Sequence, residues 1–583
     1  MTRKVTILLL LLATSGFAQR GEDGLTYQER RRQWLRRVPE PRSSIPVDRK
    51  RLYFSAWLQK GLYNDTVAEA LYNLINDYWL TGGRSHHGYM VALMIKYGSK
   101  GLRLIDRDDE QAVLSKYADE LIGKSMAYQD LNPNKQMWVM VGVYLYAKYY
   151  DDTIRFPIYG HRVGADAETK LLDEKNWPTF SYGGRRYVFG SGPYNAGRLA
   201  EDYIKHQLVE WYLGGNREFD SLNYHRAFVG AMILLYDMAP DPELRQRARM
   251  AAELAMLDAI MDYGGSEWGG TLGRTDYGRI GKASVFPFYE YFGKGEENTS
   301  RPDMKVLYAL DYEPPPLLVD LAVLTDEPDD YFHFHKEYHR DTPLKQRDGW
   351  GKWNYVTPYY NLGSNVGPSR NGWQLTVRGP KPGAFIRLWI NDMGENVTKK
   401  IETHYLGSSG RQFRNALFAQ VGSTPIYHER KVRTSWTEES QEKGWHFKRL
   451  GKVFVAVGFA ESTASVEVAL QGVDYASYSD FKAAVKRYAA LDAIGYTTSK
   501  GVTIGSDQQC GLDRPGDCTF PFRRMETIGR RGKIISWDNN VMTVRYRGET
   551  LTYDFRAWRS EGSFPQDDGR IPQAPTNLRI EAN

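Results

Sequence analysis

The chain has 583 residues, more than one ordinary hydrophobic core takes up, so two or more domains are expected. Hydrophobic residues at 42% and charged residues at 25% are the proportions of a soluble globular protein. The net charge of +6, from 77 basic and 71 acidic residues mostly interspersed, is too weak to argue for nucleic-acid binding, and no nucleic-acid motif is present.

The first 18 residues carry an address. Arg3 and Lys4 precede the apolar run from Val5 to Ala13, and Gly16 and Ala18 supply small residues for cleavage before Gln19. The run is too short to span a bilayer, and no cysteine follows it for a lipid anchor. A signal peptide over 1–18 is expected, with a periplasmic or secreted product and no membrane span. Residues 19–47 read as an N-terminal arm. It carries the densest basic run, Arg30 to Arg37, whose charges suit a solvated face.

Residues 48–345 read mainly as helices. Ala56 to Trp79 and Asp109 to Met126 are amphipathic, and Gln136 to Tyr150 is almost wholly apolar, as a buried helix is. Leu199 to Leu213 and Arg226 to Met238 follow. Asp241-Pro242-Glu243 is a helix start, with a capping acid and a proline in the first turn; that helix runs to about Asp262 and stops at Gly264-Gly265. Antiparallel helices around an aromatic-rich interior suggest a toroid or bundle rather than a Rossmann-type sheet.

The period changes near the polar stretch Asp341 to Lys352. Gln374 to Arg378 and Phe385 to Ile390 alternate, and Val453 to Phe459, Ser465 to Leu470 and Gly501 to Ile504 are further short strands. Met542 to Tyr546 and Thr550 to Phe555 flank Arg547-Gly548-Glu549 as a hairpin. Residues 346–570 are expected to form an antiparallel β-sandwich, with a helix inserted in Ala476 to Ala493. Cys510 and Cys518 are the only cysteines; in an oxidising compartment they close the turn-rich loop Gly511 to Asp517 as a disulfide, and no further ligands stand at zinc spacing. Residues 571–583 read as a C-terminal tail or linker.

Chemistry concentrates in Arg217-Glu218-Phe219-Asp220-Ser221-Leu222-Asn223-Tyr224-His225 and in Gly273-Arg274-Thr275-Asp276-Tyr277. Carboxylate, amide, phenol, imidazole and guanidinium are thus gathered in about 60 residues. Composition points the same way. Aromatic residues make up 13%, with 40 Tyr and 15 Trp, and flat rings pack on the C–H faces of sugars.

The chain resembles the toroid-fold polysaccharide lyases, a group that includes alginate, heparin and chondroitin lyases and heparinase II/III-like proteins. The likeness rests on Asn132-Pro133-Asn134-Lys135-Gln136-Met137, Glu218 to Tyr224, Tyr236-Asp237-Met238-Ala239, Gly273 to Tyr277 and Tyr355 to Ser364, in that order, and covers roughly residues 130 to 430. Lys135 stands where such relatives often carry His, and Pro133 replaces an acid.

The resemblance implies an N-terminal (α/α) toroid of helical hairpins followed by a C-terminal antiparallel β-sandwich. It implies β-elimination on a uronic-acid polysaccharide. Asn134, Asn223 and Arg274 are the candidates to neutralise the substrate carboxylate. Tyr224, His225 and Tyr277 are the candidates for proton transfer, Tyr224 foremost. Glu218 is expected to orient the others, while His87, Trp211, Trp268 and Tyr359 are expected to bind substrate. Tyr212 and Trp350 are further sugar platforms.

No cofactor is expected. A structural divalent cation at His333, His335 and His339, with Glu337 nearby, is the one metal alternative. Two other functions fit the same residues. A glycoside hydrolase would use paired carboxylates among Glu210, Glu218, Asp220, Glu267 and Asp276. A non-catalytic glycan-binding protein would keep only the fold and the aromatics.

Overall fold

A computed structural model describes residues 19–79, 87–118, 133–155, 179–188, 194–214, 222–262, 286–299, 301–323, 333–339, 350–366, 373–381, 383–391, 409–420, 426–505 and 525–564. Helices fill the N-terminal half and antiparallel sheets the C-terminal half. None of the described helices is long and apolar enough to cross a membrane.

In chain order the described helices are α1 (Tyr27–Arg37), α2 (Val47–Gln59), α3 (Asp65–Asn73), α4 (His87–Tyr97), α5 (Arg107–Lys116), α6 (Pro133–Tyr149), α7 (Ala196–Gly214), α8 (Leu222–Met238), α9 (Pro242–Asp262), α10 (Phe288–Phe292), α11 (Pro302–Val306), α12 (Pro316–Ala322) and α13 (Tyr478–Tyr488). The expected helix starting at Asp241-Pro242-Glu243 is α9. The Asp241 carboxylate accepts from the Glu243 amide at 2.9 Å, which satisfies a donor that the first turn leaves over. Ala56 to Trp79 is two α-helices closed by one wider turn, Leu74–Trp79, rather than a single helix. The stretch read as an arm holds α1, with a reciprocal Thr26–Glu29 cap. Arg30 and Arg31 of its basic run are buried, and Arg30 donates to the carbonyls of Glu290 and Tyr291.

Three of these helices run parallel. Tyr89 and Trp138, early in α4 and α6, both crowd Gly230 in α8; a Cβ there would lie 2.5 Å from the Tyr89 hydroxyl and 2.8 Å from the Trp138 ring. The later residues meet in the same order. Lys96 lies 3.9 Å from Asp237, and the Tyr149 hydroxyl donates to the Met238 carbonyl at 2.8 Å. The starts of α6 and α8 therefore share one end of the helical half, while α4 begins farther along, where Gly88 lies against Trp138 and Leu234. Since α9 returns antiparallel to α8 after the turn at 239–241, its C-terminus lies at that end too.

The strands are β1 (Thr179–Tyr182), β2 (Arg185–Val188), β3 (His333–His339), β4 (Trp350–Val356), β5 (Tyr360–Val366), β6 (Trp373–Arg378), β7 (Phe385–Asn391), β8 (Ser409–Phe413), β9 (Ala416–Gln420), β10 (Ile426–Val432), β11 (Glu438–Glu442), β12 (Trp445–Leu450), β13 (Val453–Ala460), β14 (Thr463–Leu470), β15 (Ala490–Leu491), β16 (Gly495–Thr497), β17 (Thr503–Gly505), β18 (Glu526–Gly529), β19 (Gly532–Asp538), β20 (Val541–Tyr546), β21 (Glu549–Asp554) and β22 (Arg559–Gly562). One sheet has the order β10-β7-β6-β5-β4-β3-β18-β19-β20-β21-β22, and a second has β11-β12-β13-β14-β9-β8. The expected hairpin at Arg547-Gly548 joins β20 to β21. Both turn residues have positive φ, 48° and 86°, as a two-residue turn matched to strand twist requires.

Alternation along β4 to β7 makes the first sheet two-faced. Tyr355, Leu362, Leu375 and Leu388 occupy one face and share a core with Val455 and Val466 of the second sheet. The other face carries Lys352, Asn354 and Asn361. The C-terminal strands β19 to β21 pack elsewhere: Ile535, Val544, Leu551 and Tyr553 belong to the core of the helices.

Candidate functional site

The site assembles where the end of α9 meets the polar face of β4 and β5. Asp258 and Asp262, one helical turn apart, project from the same side of α9. The buried Lys352 ammonium donates to Asp258 at 3.2 Å and closely to Asp262. Asn354 donates its amide to the Asp262 carboxylate at 3.0 Å and to the Met261 carbonyl at 3.3 Å. The Asn361 amide donates to the Asp262 carbonyl at 3.0 Å. These last contacts satisfy carbonyls that the final turn of α9 leaves over.

Register explains why three strand residues converge. Asn361 pairs with Val356, so it projects on the face that Asn354 and Lys352 occupy by period-two alternation. A half-solvated sheet would place that polar face in water. Here Lys352, Asn354 and Asn361 are fully buried, and the aspartates of α9 are their partners.

From this anchor the contacts run to the first turn of α8. His225 Nε2 lies 3.0 Å from Asp258 Oδ2, which leaves Asp258 between an imidazole and an ammonium. The His225 ring meets Trp211 and Phe286 edge-on at 5.7 and 6.4 Å. The next residue, Arg226, pairs with Asp303 of α11 at 2.7 Å. Two adjacent residues at the start of α8 are thus fixed to different elements, α9 and α11. The far end of the parallel helices is pinned separately, where Lys96 donates to Asp311 at 2.9 Å and to the Ala309 carbonyl at 2.7 Å. Burial there pushes the neighbouring Asp237 carboxyl up to about 7, against the pull of Lys96.

Of the residues singled out by sequence, His87 opens α4, Asn134 lies in the first turn of α6, and Asn223, Tyr224 and His225 lie in the first turn of α8. The parallel packing brings Asn134, Asn223, Tyr224 and His225 to the end where Asp258 and Asp262 stand, while His87 lies farther along, beside the middle of α6. The side chains of His87, Asn134, Asn223 and Tyr224, and those of β3 with Trp350, lie outside the described ones. Glu218, Trp268, Arg274, Tyr277, Cys510 and Cys518 lie outside the described residues altogether.

Packing bears on three of the expected roles. His225 was expected to move a proton to or from substrate; it is wholly buried, with Nε2 against Asp258. Trp211 was expected as a sugar platform, yet its ring is covered by Phe228, with centroids 3.5 Å apart at 5°. Tyr212 likewise stacks on Phe555, at 5.3 Å and 17°. Tyr359 is half-buried and placed apart from the cluster. It sits in the turn from β4 to β5 beside the core between the two large sheets, and Lys452 donates to its hydroxyl at 3.1 Å.

By register His335 lies opposite Asn354, and Glu337 opposite Lys352. The expected His cluster therefore continues the polar face. No group of three His, Cys, Asp or Glu side chains suited to a metal occurs among the described residues.

The sequence reading passed over Asp258, Asp262, Lys352, Asn354 and Asn361. Two signals were available. Leu254 to Asp262 is apolar but for two acids four residues apart, and Lys352-Trp353-Asn354-Tyr355 alternates polar with aromatic. No family model, curated protein or solved structure matches the chain.

Proposed function

We propose that the protein is a secreted polysaccharide lyase that cleaves a uronic-acid-containing chain by β-elimination. On this reading the helical half is an (α/α) toroid, the two large sheets form a β-sandwich, and the substrate lies between them. The observation that carries the reading is the convergence at one end of the starts of α6 and α8, with the first turn of α8 tied through His225 and Asp258 to Lys352 of the sheet.

Chemistry of this kind needs three services. The substrate carboxylate must be neutralised so that the adjacent C5 proton becomes acidic. Two parallel helix starts, of α6 and α8, direct first-turn N–H groups and the positive ends of their dipoles to one place, which suits an anion. Asn134 and Asn223 stand at these starts and supply amide donors, and Arg274 adds a guanidinium. Tyr224, as phenolate, takes the C5 proton; the positive end of α8 favours an anion at its position. The electrons form the C4–C5 double bond, the C4–O bond breaks, and a phenol, Tyr224 itself or Tyr277, returns a proton to the departing oxygen. His225 and Asp258 act through position, holding the turn that carries Tyr224.

Hydrolysis would require two carboxylates facing each other across a cleft. Asp258 and Asp262 do not serve, because Lys352 holds both. The test is turnover of alginate, glucuronan, hyaluronan, chondroitin, heparin and pectic backbones by the wild type, Tyr224→Phe and Asn223→Ala. The wild type is expected to generate ultraviolet-absorbing unsaturated ends from at least one polymer, with loss of the signal in Tyr224→Phe. Equal rates in Tyr224→Phe would remove Tyr224 from the mechanism.

A further inference from the structure

The polar face does not stop at β5. In register, Asn354 lies opposite Gly363, Gly363 opposite Gln374, Gln374 opposite Trp389, and Trp389 opposite His428. The neighbouring row runs Asn361, Thr376, Arg387, Arg430. Strands lie about 4.8 Å apart, so the first row extends about 19 Å from the anchor of the site to the edge strand β10.

The chemistry changes along the row. At the anchor the side chains are buried and bound to α9. At β7 and β10 the Trp389 and His428 rings stack, 5.3 Å apart at 16°, and both are only half-buried. Arg430 is also half-buried and makes no hydrogen bond or ion pair among the described residues. Arg387 lies directly opposite it, fully buried, and adds a second positive charge behind the surface. From β5 to β10 the two rows hold two arginines and a histidine but no carboxylate.

We infer that this outer part of the sheet face, Trp389, His428 and Arg430, is a binding subsite for an acidic polysaccharide. The half-exposed Trp389 and His428 rings offer aromatic surface to the C–H face of a sugar, Arg430 pairs with a carboxylate, and the buried Arg387 adds positive potential behind it. The inference rests on the function proposed above for the direction of the chain, which runs from the α8 start across the sheet to β10. It makes the substrate a polymer that occupies several units, and it assigns grip on the chain to residues remote from the chemistry.

Affinity electrophoresis of the full-length protein tests it, with alginate, polygalacturonate, hyaluronan or neutral dextran cast in the gel. The wild type is expected to be retarded by at least one acidic polymer and not by dextran, with less retardation as salt is added. Trp389→Ala and Arg430→Ala are each expected to weaken retention about tenfold. Arg430→Ala, at the half-buried edge, carries the test if Trp389→Ala lowers the melting temperature. Retention equal to wild type in Arg430→Ala, equal retention on dextran, or no retention on any acidic polymer would overturn the subsite. Retention reads binding without turnover, so the two readings fail separately. Retention lost in Arg430→Ala by a protein that forms no unsaturated ends keeps the subsite and sinks the lyase. Unsaturated ends formed by a protein whose retention ignores both substitutions does the reverse.

Discussion

At the scale of single residues one buried ammonium ties the end of α9 to the sheet. Lys352 compensates Asp258 and Asp262 together. Lys352→Met would leave two carboxylates in an apolar setting with no cation between them, a loss of about 3–5 kcal/mol, read as a lower melting temperature. The two aspartates should then separate by function. Asp258 holds His225 at 3.0 Å, so Asp258→Asn is expected to lower kcat more than KM and to speed amide exchange in residues 222–226. Asp262→Asn should loosen the docking of Asn354 with less effect on that turn. Equal effects from the two would remove the positioning role.

Glu253, farther back on α9, gives a prediction with a definite sign. Burial pushes its carboxyl up to about 7, only partly offset by Arg249 3.6 Å away. A raised carboxyl means that the folded state holds a proton the unfolded state has released. Stability is therefore highest below the ordinary carboxyl range and declines as pH rises toward about 7. Glu253→Gln should flatten that decline and gain up to about 3 kcal/mol at alkaline pH, as measured by denaturant titration across pH. Asp237 keeps a slope of its own in the same window, since burial raises it too.

At the scale of elements the close approach of α4, α6 and α8 is decisive. Gly230→Ala would push a methyl into Tyr89 and Trp138 and part the three helices at the middle of α8. A loss of about 1–3 kcal/mol is expected, with a fall in turnover beyond what the lost stability explains. Much at this scale was legible beforehand. The 3.6-residue period marked α6 to α9 within a few residues, and the turn chemistry of Arg547-Gly548 marked its hairpin. What escaped was any relation set by distant partners. Nothing local in Lys352-Trp353-Asn354 says that the polar face is buried, because the acids that bury it lie about 90 residues earlier. Trp211 looks the same in sequence whether a sugar or Phe228 covers its ring.

At the scale of the whole molecule the halves are not separable units. Strands β19 to β21 complete the core of the helices, and Ser560 of β22 accepts from Arg249 of α9 at 2.6 Å. A fragment of residues 19–323 should therefore expose the apolar surface that Val544, Leu551 and Tyr553 cover, and aggregate or bind hydrophobic dye. A soluble fragment with native helix content would contradict this. Sequence periodicity divided helices from strands near residue 345, yet the pairing of β3 with β18, nearly 200 residues apart, had no local signature. The first sheet thereby bridges the helical core and the second sheet, and it brings β4 and β5 to the end of α9.

The most direct test of the proposed elimination counts two products in one reaction. Unsaturated ends, read by ultraviolet absorbance, and new reducing ends are measured together as the wild type acts on the panel of uronate polymers. Elimination creates one of each per cleavage, so a ratio of about one is expected, with both signals lost in Tyr224→Phe. Reducing ends that accumulate without absorbance would mean hydrolysis and contradict the account, and retention of the polymers with neither product would leave a binding protein in place of an enzyme.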